Sequence, residues 1–144
     1  MRKKLIVFLT LFVALGVLIS LVADEVDQHF KQGIDYTNKG EYDKAIKEFT
    51  QVITKDKNYS EAYLGLGIVY IHKGMDKEAV ELLKKAIELD PNKKMAYFIL
   101  ARVYEKLEDD KNAIQTWEKF IALNPEEKYL KIAEKHLERL ESKR

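Results

Sequence analysis

The chain has no cysteine, and of its 144 residues only 2 are proline and 6 glycine. The first absence removes disulfides, thiolate nucleophiles, cysteine-ligated metals and a lipid-modified N-terminal cysteine together. It leaves the redox compartment open, because nothing in the chain would respond to it. The scarcity of proline and glycine argues against disorder and against a β-sandwich built on many tight turns. Neither charge dominates: 25 basic and 24 acidic side chains are intermixed along the chain. Beyond Arg2, Lys3 and Lys4 there is no basic block, so the electrostatic footprint of a nucleic-acid binder is missing.

Chemistry-bearing constellations are missing too. His29, His72 and His136 lie in three separate segments, none with partners at ligand spacing. No Gly-rich phosphate loop exists, since Gly65-Leu66-Gly67 falls in the interior of a helical pattern. Spacing supports no Ser/His/Asp set. The expectation is a non-enzyme with no cofactor, no metal, no small-molecule substrate and no nucleic-acid partner.

What is present begins with a long apolar run. After the basic head Met1 to Lys4, Leu5 to Ala23 carries no charge, and Asp24-Glu25 ends it. As a helix these nineteen residues span roughly 28 Å at about 1.5 Å per residue, close to the hydrocarbon thickness of a bilayer. Residues 5–23 read either as an uncleaved membrane anchor or as a cleaved secretory signal. The small-residue site Ala14-Leu15-Gly16 would leave a greasy end, and Leu21-Val22-Ala23 puts a bulky residue where a small one is wanted. Both readings keep Arg2, Lys3 and Lys4 in the cytoplasm and put Asp24 onward outside it. An anchor makes a single-pass cell-membrane protein; cleavage makes a secreted or periplasmic one. The head holds three of the 25 basic groups and the run holds none of the 24 acidic ones, so residues 24–144 carry a net charge of about −2.

The rest of the chain repeats every 34 residues. Gly33, Gly67 and Ala101 keep this step, as do Tyr36, Tyr70 and Tyr104; Ala45, Ala79 and Ala113; and Phe49, Leu83 and Trp117. A period of this size means stacked supersecondary units, each unable to bury its apolar face alone. Each unit has two stretches of 3.6-residue apolar period around a short break, for example Ser60 to Lys73, Gly74-Met75-Asp76, then Lys77 to Leu89. Asn58 and Asn92 stand where N-caps are wanted. Asp90-Pro91 and Asn124-Pro125 end one helix and turn the chain into the next.

These residues resemble the tetratricopeptide repeat, a helix-turn-helix of 34 residues. The second unit offers Tyr63, Leu66-Gly67, Tyr70, Gly74, Ala79, Leu83 and Pro91. The third offers Tyr97, Leu100-Ala101, Tyr104, Ala113, Trp117 and Pro125, with Glu108 in place of the turn glycine. The first is looser, with His29 at the aromatic position and Lys57 at the proline, but Tyr36, Gly40, Tyr42, Ala45 and Phe49 fit. The resemblance implies an all-α superhelical solenoid of three helix-turn-helix repeats, about 26–59, 60–93 and 94–127. A C-terminal capping helix over about 126–143 follows, with Tyr129, Leu130, Ala133, Leu137 and Leu140 as its one apolar stripe. An N-terminal hydrophobic helix in residues 1–23 precedes the repeat domain of 24–144.

The resemblance also implies a concave groove lined by positions two, five, nine, twelve and thirteen of each unit. Among these, Phe30, Ile34, Leu64, Ile68, Ile71, Met95, Phe98 and Arg102 are the candidate peptide-binding residues. Glu105 and Lys106 share the third unit's remaining positions. The carboxylate clamp of chaperone-binding members does not carry over, since Phe30, Ile34 and Gly65 hold its Lys and Asn positions. An amphipathic helix or apolar segment is the expected ligand. The implied function is a non-enzymatic adaptor or scaffold outside the cytoplasmic membrane, assembling envelope or membrane proteins. The alternative is a structural protein whose groove is filled by its own copies, a homo-oligomer.

Overall fold

A computed structural model of the chain describes residues 2–143, with side chains described from residue 11 onward apart from residue 19. Among the described residues there are seven helices: α1 (Arg2–Asn38), α2 (Tyr42–Lys55), α3 (Ser60–His72), α4 (Asp76–Leu89), α5 (Lys94–Lys106), α6 (Asp110–Ala122) and α7 (Glu127–Glu141). Each packs on the next, and α1 also touches α3. The result is the solenoid expected: three two-helix units, α1–α2, α3–α4 and α5–α6, with α7 docked on α6.

Small residues at the 34-residue step decide how closely the helices approach. Ala45, Ala79 and Ala113 have no exposed surface, and Phe49, Leu83 and Trp117 are at most 1% exposed. A Cβ on Gly67 would stand 3.2 Å from Leu83 Cγ, so this glycine makes room for its own unit's second helix. Truncating a ring as buried as that of Trp117 removes about 3–5 kcal/mol of stability.

The turn inside each unit has one geometry used three times. Gly40 and Gly74 have φ of 74°, and Glu108 takes φ 60° at the same register position. The N–H groups of Glu41, Met75 and Asp109 reach back to the carbonyls of Tyr36, Tyr70 and Tyr104 at 2.9 Å each. This is the Schellman closure, which requires a left-handed residue after the helix.

The turns between units differ from the expectation. Asn58 and Asn92 do not cap α3 and α5; Tyr59 and Lys93 precede those helices and give no side-chain cap. Instead the Asn58 and Asn92 N–H groups donate to Oδ1 of Asp56 and Asp90, at 2.9 and 3.1 Å. An aspartate two residues ahead closes an Asx turn, which satisfies the loop backbone before the helix begins.

The cap helix buries Ala133 and Leu140 and packs Tyr129 and Leu137 against the α6 cluster. Lys131, Glu134, Lys135 and Glu138 are exposed where a further helix would otherwise stack. Four charged groups at that seam stop the solenoid from growing.

At the other end, no helix boundary separates residues 1–23 from the repeat domain. Helix α1 carries the apolar run and the first repeat's first helix without interruption. Leu11, Phe12, Val13, Leu15, Leu18 and Leu21 are 57–73% exposed on it. Among the described residues no helix is long and apolar enough to cross a membrane. The side chains of Arg2 to Thr10 and of Ile19, on which the span and topology expectations partly rest, lie outside the described residues.

Candidate functional site

The first helices of successive units meet on one inner face, and the eight candidate residues fall on that face in two groups. Ile34 and Met95 are 40% and 45% exposed, and Arg102 is exposed as well. Phe30, Leu64, Ile68, Ile71 and Phe98 are half-buried.

Four of these five also serve the core, which the expectation of a pure lining surface missed. Leu64 and Ile71 pack against Val80, Leu83, Leu100 and Val103. Phe30 has ring-to-ring distances of 5.8 Å to Phe49 and 5.1 Å to Tyr59. Phe98 meets Trp117, Phe120 and Tyr129 edge-on at 5.2–5.5 Å. The reason is geometric. In a superhelical stack an inner helix has neighbours on three sides, so a position facing the groove also borders the seam to the next unit. Ile68 is half-buried yet belongs to none of the three core clusters.

Glu105 and Lys106 do not offer their charge to the groove. The Glu105 side chain is 11% exposed and accepts a 2.6 Å hydrogen bond from Trp117 Nε1. His136 Nδ1 lies 2.9 Å from the same carboxylate, and Arg139 pairs with it. Glu105 therefore ties α5 to both α6 and α7. Lys106 Nζ sits 2.7 Å from Asp76. Of the groove positions singled out, Arg102 is left to present positive charge. At the opposite edge of α3, Lys93 binds Glu61 and Asp90, and the Lys93 ammonium holds the Glu61 carboxyl below its ordinary value.

A depression of about 230 Å³ opens between α5, α6 and α7, lined by Met95, Phe98, Phe120, Pro125 and Tyr129, with Lys94 and Glu126 at its rim. It is smaller than the roughly 300–1,000 Å³ of ordinary small-molecule sites and suits a single large side chain. Sequence reasoning placed Met95 and Phe98 here but missed Tyr129. The missed signal is the repeat itself. Tyr129 and Ile132 stand 34 residues after Met95 and Phe98, so the groove register continues onto α7. Ile132 is 40% exposed. Among the described residues, no cluster of three or more His, Asp or Glu is placed to hold a metal ion.

Two family profiles, each described as Tetratricopeptide repeat, match residues 37–92 and 82–115. No curated protein matches the chain. Among solved structures, PcrH in complex with the chaperone binding region of PopD superposes with a TM-score of 0.78 at 22% identity, over 84% of this chain and 94% of that one. PcrH is a protein of Pseudomonas aeruginosa. The TPR2B domain of yeast Sti1, in a complex with pHsp70, gives 0.75 at 20% identity, over 83% of this chain and 98% of that one. MamA protein gives 0.66 at 31% identity over 71% of this chain, which spans 56% of that protein. Taken together, the profiles run from residue 37 to residue 115, more than half the chain, over the helices that repeat its 34-residue register; the chain belongs to the tetratricopeptide repeat family.

Proposed function

We propose that this protein is a non-enzymatic interaction module whose inner face binds an amphipathic or apolar segment of another protein. The observation that carries this is the apolar row on the inner helices. Ile34, Ile68 and Met95 leave apolar surface toward the groove, and Met95 and Phe98 open into a side-chain-sized depression. A continuous apolar strip of this kind on an otherwise charged protein marks a binding surface. The solved relatives support the class of partner: PcrH is seen with a region of PopD, and the first TPR of RPAP3 with an HSP90 peptide. The groove here differs from a carboxylate clamp, since Arg102 stands among apolar groups. A segment with an apolar face suits it better than a charged chain end.

The reading extends to location. Residues 5–23 anchor the chain in the cytoplasmic membrane with the repeat domain outside the cytoplasm, where it acts as a scaffold for assembling envelope or membrane proteins. A photo-crosslinking residue at Met95 in the full chain, used in intact cells, tests the groove. Adducts to a different protein, absent when the same residue is placed at Gln115 on α6, are the expected result. Adducts only to further copies of this chain would replace the adaptor reading by self-association.

A further inference from the structure

We infer that α1 is an unbroken strut that stands the repeat stack upright on a lipid bilayer, with one particular edge of the stack against the headgroups. The inference rests on the anchor reading of residues 5–23 and goes beyond it. An anchor alone fixes a location; a rigid one also fixes an orientation.

The continuity of α1 is the first observation. It runs from Arg2 to Asn38 as one helix, about 55 Å long at 1.5 Å per residue. No glycine or proline lies between Gly16 and Gly33 to hinge it. Its described upper part is apolar on every side and touches nothing: Leu11, Phe12, Val13, Leu15, Leu18 and Leu21 are more than half exposed. A helix that is apolar all round needs an apolar surrounding on all sides. A groove or a second helix covers one stripe, whereas a bilayer covers all of them.

The second observation is where the folded domain takes hold of this helix. Val26 is 7% exposed, and Lys55 at the end of α2 lies 2.9 Å from Glu25. The domain therefore grips α1 within a turn of Ala23, the last residue of the apolar run. Short turns join packed helices, so α3, α5 and α7 run in the same sense as α1. Their starts, and the turns Asp56–Tyr59, Asp90–Lys93 and Leu123–Glu126, share the edge at which the apolar run enters. Ion pairs tie this edge: Lys55 to Glu25, Lys93 to Glu61, and Lys94 Nζ to the Asn124 carbonyl at 2.8 Å. The far edge has its own row, Lys73 to Asp43, Lys106 to Asp76 and Lys143 to Asp110. Both ends of the stack are thus held as one block, and α1 carries that block.

With α1 inserted, the edge containing Asn58 and Asn92 faces the headgroups and the edge containing Lys39 and Lys73 faces away. The groove, which crosses the inner helices, then runs along the bilayer plane just above its surface.

The absence of cysteine makes the test direct. Full-length single-cysteine variants at Asn58, Asn92, Lys39 and Lys73 are labelled with a donor fluorophore. They are reconstituted in phosphatidylcholine–phosphatidylglycerol vesicles carrying a headgroup-bound acceptor. The two edges are about 20 Å apart, the length of a thirteen-residue helix, so transfer from positions 58 and 92 should exceed that from 39 and 73 several-fold. A Gly-Ser linker inserted between Ala23 and Asp24 should abolish this difference while leaving vesicle binding intact. Equal transfer from all four positions in bound protein, or a difference that survives the linker, overturns the strut. Failure of the unaltered chain to associate with vesicles overturns the anchor reading beneath it.

Discussion

The ring of Phe49 fills the space where a side chain on Gly65 would start: a Cβ there would stand 2.7 Å from Phe49 Cζ. Phe49 comes from α2 and Gly65 from α3, so the contact crosses from the first unit to the second. Gly33 of α1 meets the other side of the same ring, also at 2.7 Å. One aromatic ring thus sets the spacing of three helices, and two glycines give it room.

Gly65→Ala tests this contact. By helix propensity alone the change stabilises by about 1 kcal/mol. Against a ring that is 1% exposed, overpacking should outweigh that and destabilise by about 1–3 kcal/mol. The expected outcome is a lower denaturant midpoint, with the loss reduced in a Phe49→Leu background. A gain in stability from Gly65→Ala would show that the ring can move aside.

The turn at Glu108 offers a gain. Its φ of 60° is one that a side chain disfavours and glycine accepts, as at Gly40 and Gly74. Glu108→Gly should raise stability by about 0.5 kcal/mol, after the added freedom of the unfolded chain is set against the relieved strain. Gly74→Ala should lower it by about 1 kcal/mol. Thermal melts of the two variants should shift in opposite directions.

Glu105 should govern the docking of α7. Glu105→Ala leaves Trp117 Nε1, His136 and Arg139 without their shared acceptor, a loss of about 1.5–3 kcal/mol for a charged hydrogen-bonding group. Amide exchange in residues 127–141 should quicken more than in α3. Glu105→Gln keeps an acceptor for the indole and should lose less.

Ile68 and Phe98 should separate groove from core. Ile68→Glu places a charge on the inner face and should weaken partner capture by 2 kcal/mol or more in a hot-spot position. Its effect on folding should stay near the ordinary mutational level of about 1 kcal/mol. Phe98→Glu strikes the rings of Trp117, Phe120 and Tyr129 and should cost about 3 kcal/mol or more of stability. Circular dichroism melts and crosslinking from Met95, done side by side, read both effects.

Acid should loosen the tie between α3 and the turn before α5. The Lys93 ammonium that hydrogen-bonds Glu61 holds its carboxyl below the ordinary 4.5. A carboxylate with a depressed folded-state value contributes stability above its unfolded value and loses it as pH falls through the folded one. The contribution is therefore complete at neutral pH and fades below about pH 4.5. The stability difference between the native chain and Glu61→Gln should shrink across that range and stay constant above it.

The sequence by itself determined the repeat, its register and its helices, because periodicity, small residues and turn glycines act locally or at a fixed step. Ser60 and Leu89 bound the second unit as the pattern says, and Glu108 takes the left-handed turn that its register position requires. The inner-face positions were legible for the same reason, and carrying the register past residue 127 would have reached Tyr129 and Ile132 as well. Tertiary structure decided what those positions do. Phe98 and Leu64 divide themselves between groove and core, and Glu105 turns inward to bind α6 and α7, because each depends on neighbours from helices that no spacing brings together. Tertiary structure also replaced the expected asparagine caps with aspartate-closed turns. The joining of residues 1–23 to the repeat as one helix had its cause in plain view, since nothing between Gly16 and Gly33 breaks a helix. What the fold added is the grip at Glu25 and Val26, where α2 closes on α1 and turns that continuity into a fixed orientation.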